Sequence, residues 1–124
     1  MARNESQFWY YLKKNTPTIK WTRIENTSSL GTPDLLGYNS NNHFFTLELK
    51  VVRSGNKIKF SPHQISFHMR HPIGTYILVD DAVRARVCLY FGNQIDNLVK
   101  NGLKTKPMAE NLEDCKTIFD RLTL

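Results

Sequence analysis

The chain has 124 residues, 40% of them hydrophobic and 23% charged, with a formal net charge of +6, which suits one domain (1–124) with a single buried core and excludes a two-domain chain. No apolar run approaches the roughly 20 residues that span a bilayer, and the opening MARNESQF has no apolar stretch behind its Arg. Neither a secretory signal nor an anchor is readable there, so a soluble cytoplasmic protein is expected, in the host cytoplasm if its source is viral.

Along the chain, Asn4 to about Asn15 predicts a helix that Asn4 can cap, with Gln7 three residues on and Phe8, Tyr11 and Leu12 as its apolar stripe. Ile19 to Glu25 alternates like a strand, Asn26 to Thr32 is a polar loop, and Pro33 to Tyr38 is a short extended segment. The polar turn Asn39 to Asn42 then leads into the clearest strand, His43 to Arg53, to make a hairpin. Ser61 and Pro62 announce a helix to about His71, with Ser61 as cap and Pro62 at its first position. Thr75 to Val79 and Ala85 to Phe91 read as two further strands separated by Asp80 and Asp81. Gln94 to Lys100 can form a short helix, and Ala109 to Leu122 a longer one with Met108, Leu112, Cys115, Phe119 and Leu122 in apolar register. This order predicts an α/β sandwich around a mixed sheet. Cys88 and Cys115 lie in apolar-periodic segments without metal spacing and read as reduced core thiols.

The excess positive charge is confined to the first part of the chain. Residues 1 to 79 hold ten Lys or Arg against four acids, and residues 80 to 124 hold seven against seven. No acid occurs from Leu49 to Val79, where Lys50, Arg53, Lys57, Lys59 and Arg70 accumulate, as on a surface that meets phosphate. A merely soluble basic face has the same composition, so the few acids in this part decide between the two.

On the third strand, alternation puts Phe45, Leu47, Leu49 and Val51 on one face and Thr46, Glu48 and Lys50 on the other. The hairpin can bring Asp34 beside Glu48. Two carboxylates with a backbone carbonyl such as that of Leu49 offer the oxygen ligands that Mg²⁺ prefers. Lys50 beside them can position an attacking water or stabilise a developing anion. By itself E-x-K on a strand is the ordinary pattern of a solubilising charge pair.

The chain adds Gly31-Thr32-Pro33-Asp34 a hairpin's length before Glu48-Leu49-Lys50, and Ser61-Pro62-His63-Gln64 after it. In this it resembles the PD-(D/E)XK nuclease superfamily, in particular small Holliday junction resolvases and virus-type replication-repair (VRR-NUC) nucleases. The likeness spans roughly residues 5 to 80: a leading-helix Glu (Glu5), a G-x-PD turn, an E-x-K strand and a following helix bearing Gln. It implies a restriction-endonuclease-like α/β/α sandwich around a mixed central sheet and metal ligation by Asp34 and Glu48. It also implies a catalytic Lys50 and help from Glu5 and Gln64 in binding Mg²⁺, or Mn²⁺ in its place, and in ordering water. Glu5 is equally explained by the helix dipole, and Gln64 by a capping box with Ser61.

Ser28 and Ser29 precede the motif in a loop where resolvase-like proteins often carry a serine near the scissile phosphate, and neither is singled out. Arg23, Arg53, Lys57 and Lys59 are candidates for phosphate contact. His43, His63, His68 and His71 lack the paired Cys or H-E-x-x-H spacing of a zinc site. Trp9 and Tyr10 beside Phe8 can stack on bases, pack, or form a dimer contact. The expected activity is Mg²⁺-dependent cleavage of branched DNA, with Holliday junctions first, by a homodimer joined through the first or the terminal helix. The alternatives are a repair nuclease acting on flaps, single strands or duplexes, and a nucleic-acid-binding module of the same fold without the chemistry.

Overall fold

The computed structural model describes residues 2–24 and 31–123. Helix α1 (Glu5–Asn15) begins as its sequence dictates: Asn4 Oδ1 accepts from the Gln7 N–H, and Gln7 Oε1 accepts from the Asn4 N–H, each at 2.8 Å. This reciprocal pair satisfies two donors that the helix start would otherwise leave unpaired. Helix α2 (Pro62–Arg70) uses the same device, with Ser61 as cap, Gln64 as its partner and Pro62 in the first turn.

Among the described residues five strands form one mixed sheet in chain order: β1 (Lys20–Arg23), β2 (Leu35–Tyr38), β3 (Phe44–Val52), β4 (Thr75–Asp81) and β5 (Arg86–Phe91). Only the β3–β4 pair is parallel, with Glu48 opposite Ile77 and Thr46 opposite Thr75. Helix α2 makes the crossover between those two strands and so runs back antiparallel to them. β2 and β3 pair antiparallel with Leu35 opposite Leu47, so Asp34 stands at the open end of β2, level with Glu48.

Two apolar layers cover the sheet. On one face α1 and α4 (Leu112–Arg121) bury Phe8, Leu12, Leu112, Cys115 and Phe119 against Phe45, Leu47, Leu49, Tyr76, Leu78 and Leu89. On the other, Ile95 and Leu98 of α3 (Ile95–Asn101) join Leu103, Ile77, Val79, Cys88 and Tyr90, with Ile65 of α2 packed alongside. The result is the expected α/β/α sandwich. Both cysteines are free and buried. Among the described residues no helix is long and apolar enough to cross a membrane.

Two boundaries differ from the sequence reading. β4 continues through Asp80 and Asp81 instead of ending before them, because both side chains find cations: Arg3 holds Asp80 at 3.0 Å, and Arg84 and Arg86 hold Asp81 at 3.1 and 2.9 Å. Ala109 is not helical. It bridges Leu89 in extended backbone, and α4 starts at Leu112, capped by Asn111. Phe8 and Leu12 of α1 and Leu112, Cys115 and Phe119 of α4 are buried in the chain's own core, while Tyr10 of α1 is exposed.

Candidate active site

Strand alternation carries Glu48 and Lys50 to the α2 side of the sheet, and the crossover places the N-terminus of α2 over them. Gln64 joins the two. Its Nε2 donates to Glu48 Oε2 at 3.2 Å, and its Oε1 accepts from Lys50 Nζ at 2.9 Å. The same Oε1 accepts the Ser61 N–H at 3.0 Å, so the side chain that caps α2 also touches both charged residues of β3. Lys50 Nζ also lies over the Phe60 ring, 4.9 Å from its centroid, a contact that steadies the ammonium. Phe60 was not anticipated, and an aromatic next to a helix cap gives no signal of it.

The G-x-PD turn reaches the site from the other side. Gly31 has φ +85°, and a Cβ there would meet the His63 carbonyl oxygen at 2.3 Å, so only glycine lets this turn pack against the start of α2. Asp34 follows, and its Oδ2 accepts the Leu49 N–H at 2.8 Å. A strand residue's N–H and C=O point to the same side, so the Leu49 carbonyl projects along that edge, past the end of β2.

Glu48 is 1% exposed, and its Oε1 has no hydrogen-bond partner among the described residues. Burial first, and then the charge and proximity of Asp34, push its carboxyl up to about 9; the Lys50 charge opposes the rise and Glu5 adds to it. Glu5, exposed on α1 at the mouth of the site, also has a raised carboxyl, from partial desolvation and then Asp34, with Lys50 and Arg23 opposing. Three carboxyl groups thus share one field, one of them buried with an unpaired oxygen. Such a group is costly unless a proton or a cation is shared with it. Among the described residues no set of three or more His, Cys, Asp or Glu side chains is arranged to hold a metal ion. Asp34, Glu48 and the Leu49 carbonyl are the residues that could offer oxygen donors to a cation such as Mg²⁺, which keeps several of its waters.

Two clefts meet at Glu5. One of about 430 Å³ is lined by Lys50, Arg53, Ser54, Lys57 and Lys59, so three of the four predicted phosphate-contact residues stand together beside Lys50. The fourth, Arg23, lines a smaller cleft of about 140 Å³ with Trp9, Asp34 and Leu49. Trp9 is partly buried, edge-on to Trp21 at 6.4 Å, whereas Tyr10 is exposed. A third cleft, of about 410 Å³, lies around Arg3, Asp80, Arg86 and Glu110; its charges are already paired with one another, and it holds none of the site residues. Ser28 and Ser29 lie outside the described residues.

A VRR_NUC domain of known structure superposes on the chain with a TM-score of 0.50 and 19% sequence identity, covering 78% of this chain and 95% of that one. The chain has a VRR_NUC-like fold. No family model matches the sequence, and no curated protein sequence matches it. The likeness is therefore one of architecture, and the chemistry rests on the side chains described above.

Proposed function

We propose that this chain is a metal-dependent endonuclease that hydrolyses phosphodiester bonds in DNA. The observation that carries the reading is the meeting of Asp34, Glu48, Lys50 and Gln64 where β2 ends beside β3, with a buried Glu48 oxygen left unpaired among the described residues. Asp34, Glu48 and the Leu49 carbonyl would hold Mg²⁺, or Mn²⁺ in its place, and Glu5 stands close enough to assist through water. A bound divalent ion supplies an acidified water and neutralises charge that grows on the phosphate.

The protein's own groups do the positioning. Lys50, fixed by Gln64 and Phe60, directs its ammonium to the attacking water or to the oxygens that gain charge in the transition state. Arg53, Lys57 and Lys59 on one side and Arg23 on the other hold the sugar-phosphate backbone without reading bases. Ser28 and Ser29, outside the described residues, are proposed as further contacts on the sequence alone.

Branched DNA is the proposed substrate, with the four-way junction first, because the motif order from Glu5 to Gln64 resembles that of small Holliday junction resolvases. Resolving a junction takes two opposed cuts and so requires a homodimer. The VRR_NUC-like architecture favours a second reading of the same centre, as a repair nuclease for flaps, single strands or duplexes. A panel of labelled junction, flap, single-stranded and linear DNA in Mg²⁺ separates them. Paired symmetric cuts confined to the junction support resolution, preferential flap or linear cutting supports repair, and salt-sensitive binding without cleavage would reduce the chain to a binding module.

A further inference from the structure

Behind Gln64 lies a second polar layer that the nuclease chemistry does not use. His68 is 0% exposed, and neither of its ring nitrogens has a hydrogen-bond partner among the described residues; the same holds for the buried Thr46 Oγ1. Three unpaired polar groups, counting Glu48 Oε1, are thus buried on one face. An isolated buried polar atom is costly, and a cluster of them points to a shared partner.

Their placement follows from the antiparallel run of α2 over β3. From Gln64 to His68 the helix advances about 6 Å, and from Glu48 back to Thr46 the strand retreats about 6.6 Å. These rises bring His68 to the level of Thr46, whose partner on β4 is Thr75. The far wall is Gly92, where a Cβ would come within 2.8 Å of His68 Nδ1 and 2.1 Å of Thr75 Oγ1. Only the absence of a side chain there leaves the imidazole its room. Thr75 Oγ1 is already engaged, donating to the His71 carbonyl at 2.9 Å.

We infer that His68 is a positioning residue for the nuclease centre, joined to Thr46 Oγ1 and the Glu48 carboxylate through one internal water. The chemistry matches. A neutral imidazole offers one donor and one acceptor, a threonine hydroxyl offers both, and a carboxylate has four lone-pair positions, of which Gln64 takes one. Those that remain accommodate the water on the Thr46 side and a cation on the Asp34 side. A buried water of this kind makes about three hydrogen bonds, the number available here. The layer thus fixes the Glu48 carboxylate from behind, as partners of metal ligands do.

The inference rests on the nuclease reading, so its test has one arm that depends on metal and one that does not. Mn²⁺ titration of the intact chain without DNA compares wild type with Thr46→Val, His68→Phe and His68→Asn. Thr46→Val and His68→Phe are expected to weaken Mn²⁺ binding about 10-fold or more, and His68→Asn, which keeps a donor and an acceptor, to recover part of it. Urea unfolding of Thr46→Val, His68→Phe and the double variant is expected to be non-additive, the double costing less than the two singles together. Thr46→Val changes little volume and keeps the test open if His68→Phe fails to fold. Unchanged Mn²⁺ affinity in folded variants, or strictly additive unfolding, would overturn the inference. A wild-type chain that takes up no Mn²⁺ would sink the nuclease reading and with it the positioning role, and the unfolding cycle would still decide whether Thr46 and His68 share a water.

Discussion

Gln64 Nε2 donates to Glu48 Oε2 at 3.2 Å while the other end of the same carboxamide accepts from Lys50 and from the Ser61 N–H. One side chain therefore ties the start of α2 to both charged residues of the E-x-K strand. The two roles separate by mutation. Ser61→Ala removes the cap and is expected to cost about 1 kcal/mol of stability with cleavage close to wild type. Gln64→Ala is expected to cost a similar amount and also to lower kcat about 10- to 100-fold. Urea denaturation and steady-state cleavage read the two effects, and equal kinetic losses in both variants would contradict the assignment.

Asp34→Asn, Glu48→Gln and Lys50→Ala each remove one member of the centre without opening a large cavity. Each is expected to lower kcat by about 10²-fold or more, with DNA binding retained. Lys50→Arg should not restore activity, since a forked planar guanidinium does not replace a compact ammonium held between Gln64 and Phe60. Gel-shift binding measured beside cleavage distinguishes lost chemistry from lost affinity.

The metal-free protein should lose stability as pH rises through the neutral range. Glu48 is pushed up to about 9 in the fold, by burial first and then by Asp34, from an ordinary value of 4.5. Between those limits the folded state holds a proton that the unfolded state has released, so stability falls with rising pH. His68 acts with the opposite sign. Burial, then the His71 and Lys50 charges, lower it to about 4 from 6.5, so stability is lost as pH falls through that window. The Glu48 slope is therefore cleanest above about pH 6.5, the ordinary His value. Thermal unfolding at pH 7 and pH 9 should show the decline in wild type and a flatter profile in Glu48→Gln, with added Mn²⁺ stabilising more at the higher pH. A profile unchanged by Glu48→Gln would contradict this account of the buried carboxyl.

Lys57 and Lys59 line the cleft beside Lys50 and are both exposed. Replacing either by Ala is expected to weaken DNA binding uniformly across sequences. It should also reduce the slope of log affinity against log salt by about 1, leaving kcat at saturating DNA unchanged. Affinities measured across a salt series check this.

Much of this fold is written in local chemistry. Asn4 with Gln7, and Ser61-Pro62 with Gln64, fix two helix starts within a few residues, and the alternation of β3 sets Glu48 and Lys50 on one face before any partner is known. What was not legible depends on distant partners. Asp80 and Asp81 read as turn acids, yet Asp80 is held by Arg3, 77 residues away in sequence, and the β5 pairing of Ala109 needs Leu89 beside it. His68 reads as one of four unremarkable histidines, because its burial and its closeness to Gly92 depend on residues far from it in sequence. Phe8, Leu12, Cys115 and Phe119 of the α1 and α4 stripes serve the core, and pattern alone does not distinguish such a stripe from a dimer contact.

The most direct test of the central claim is incubation of labelled branched and linear DNA with the purified chain in Mg²⁺, in parallel with Glu48→Gln and with EDTA. Metal-dependent cleavage of at least one substrate by wild type, absent in Glu48→Gln and in EDTA, is the predicted result. Failure of wild type to cut any of them, or cleavage that persists undiminished in Glu48→Gln, would contradict it.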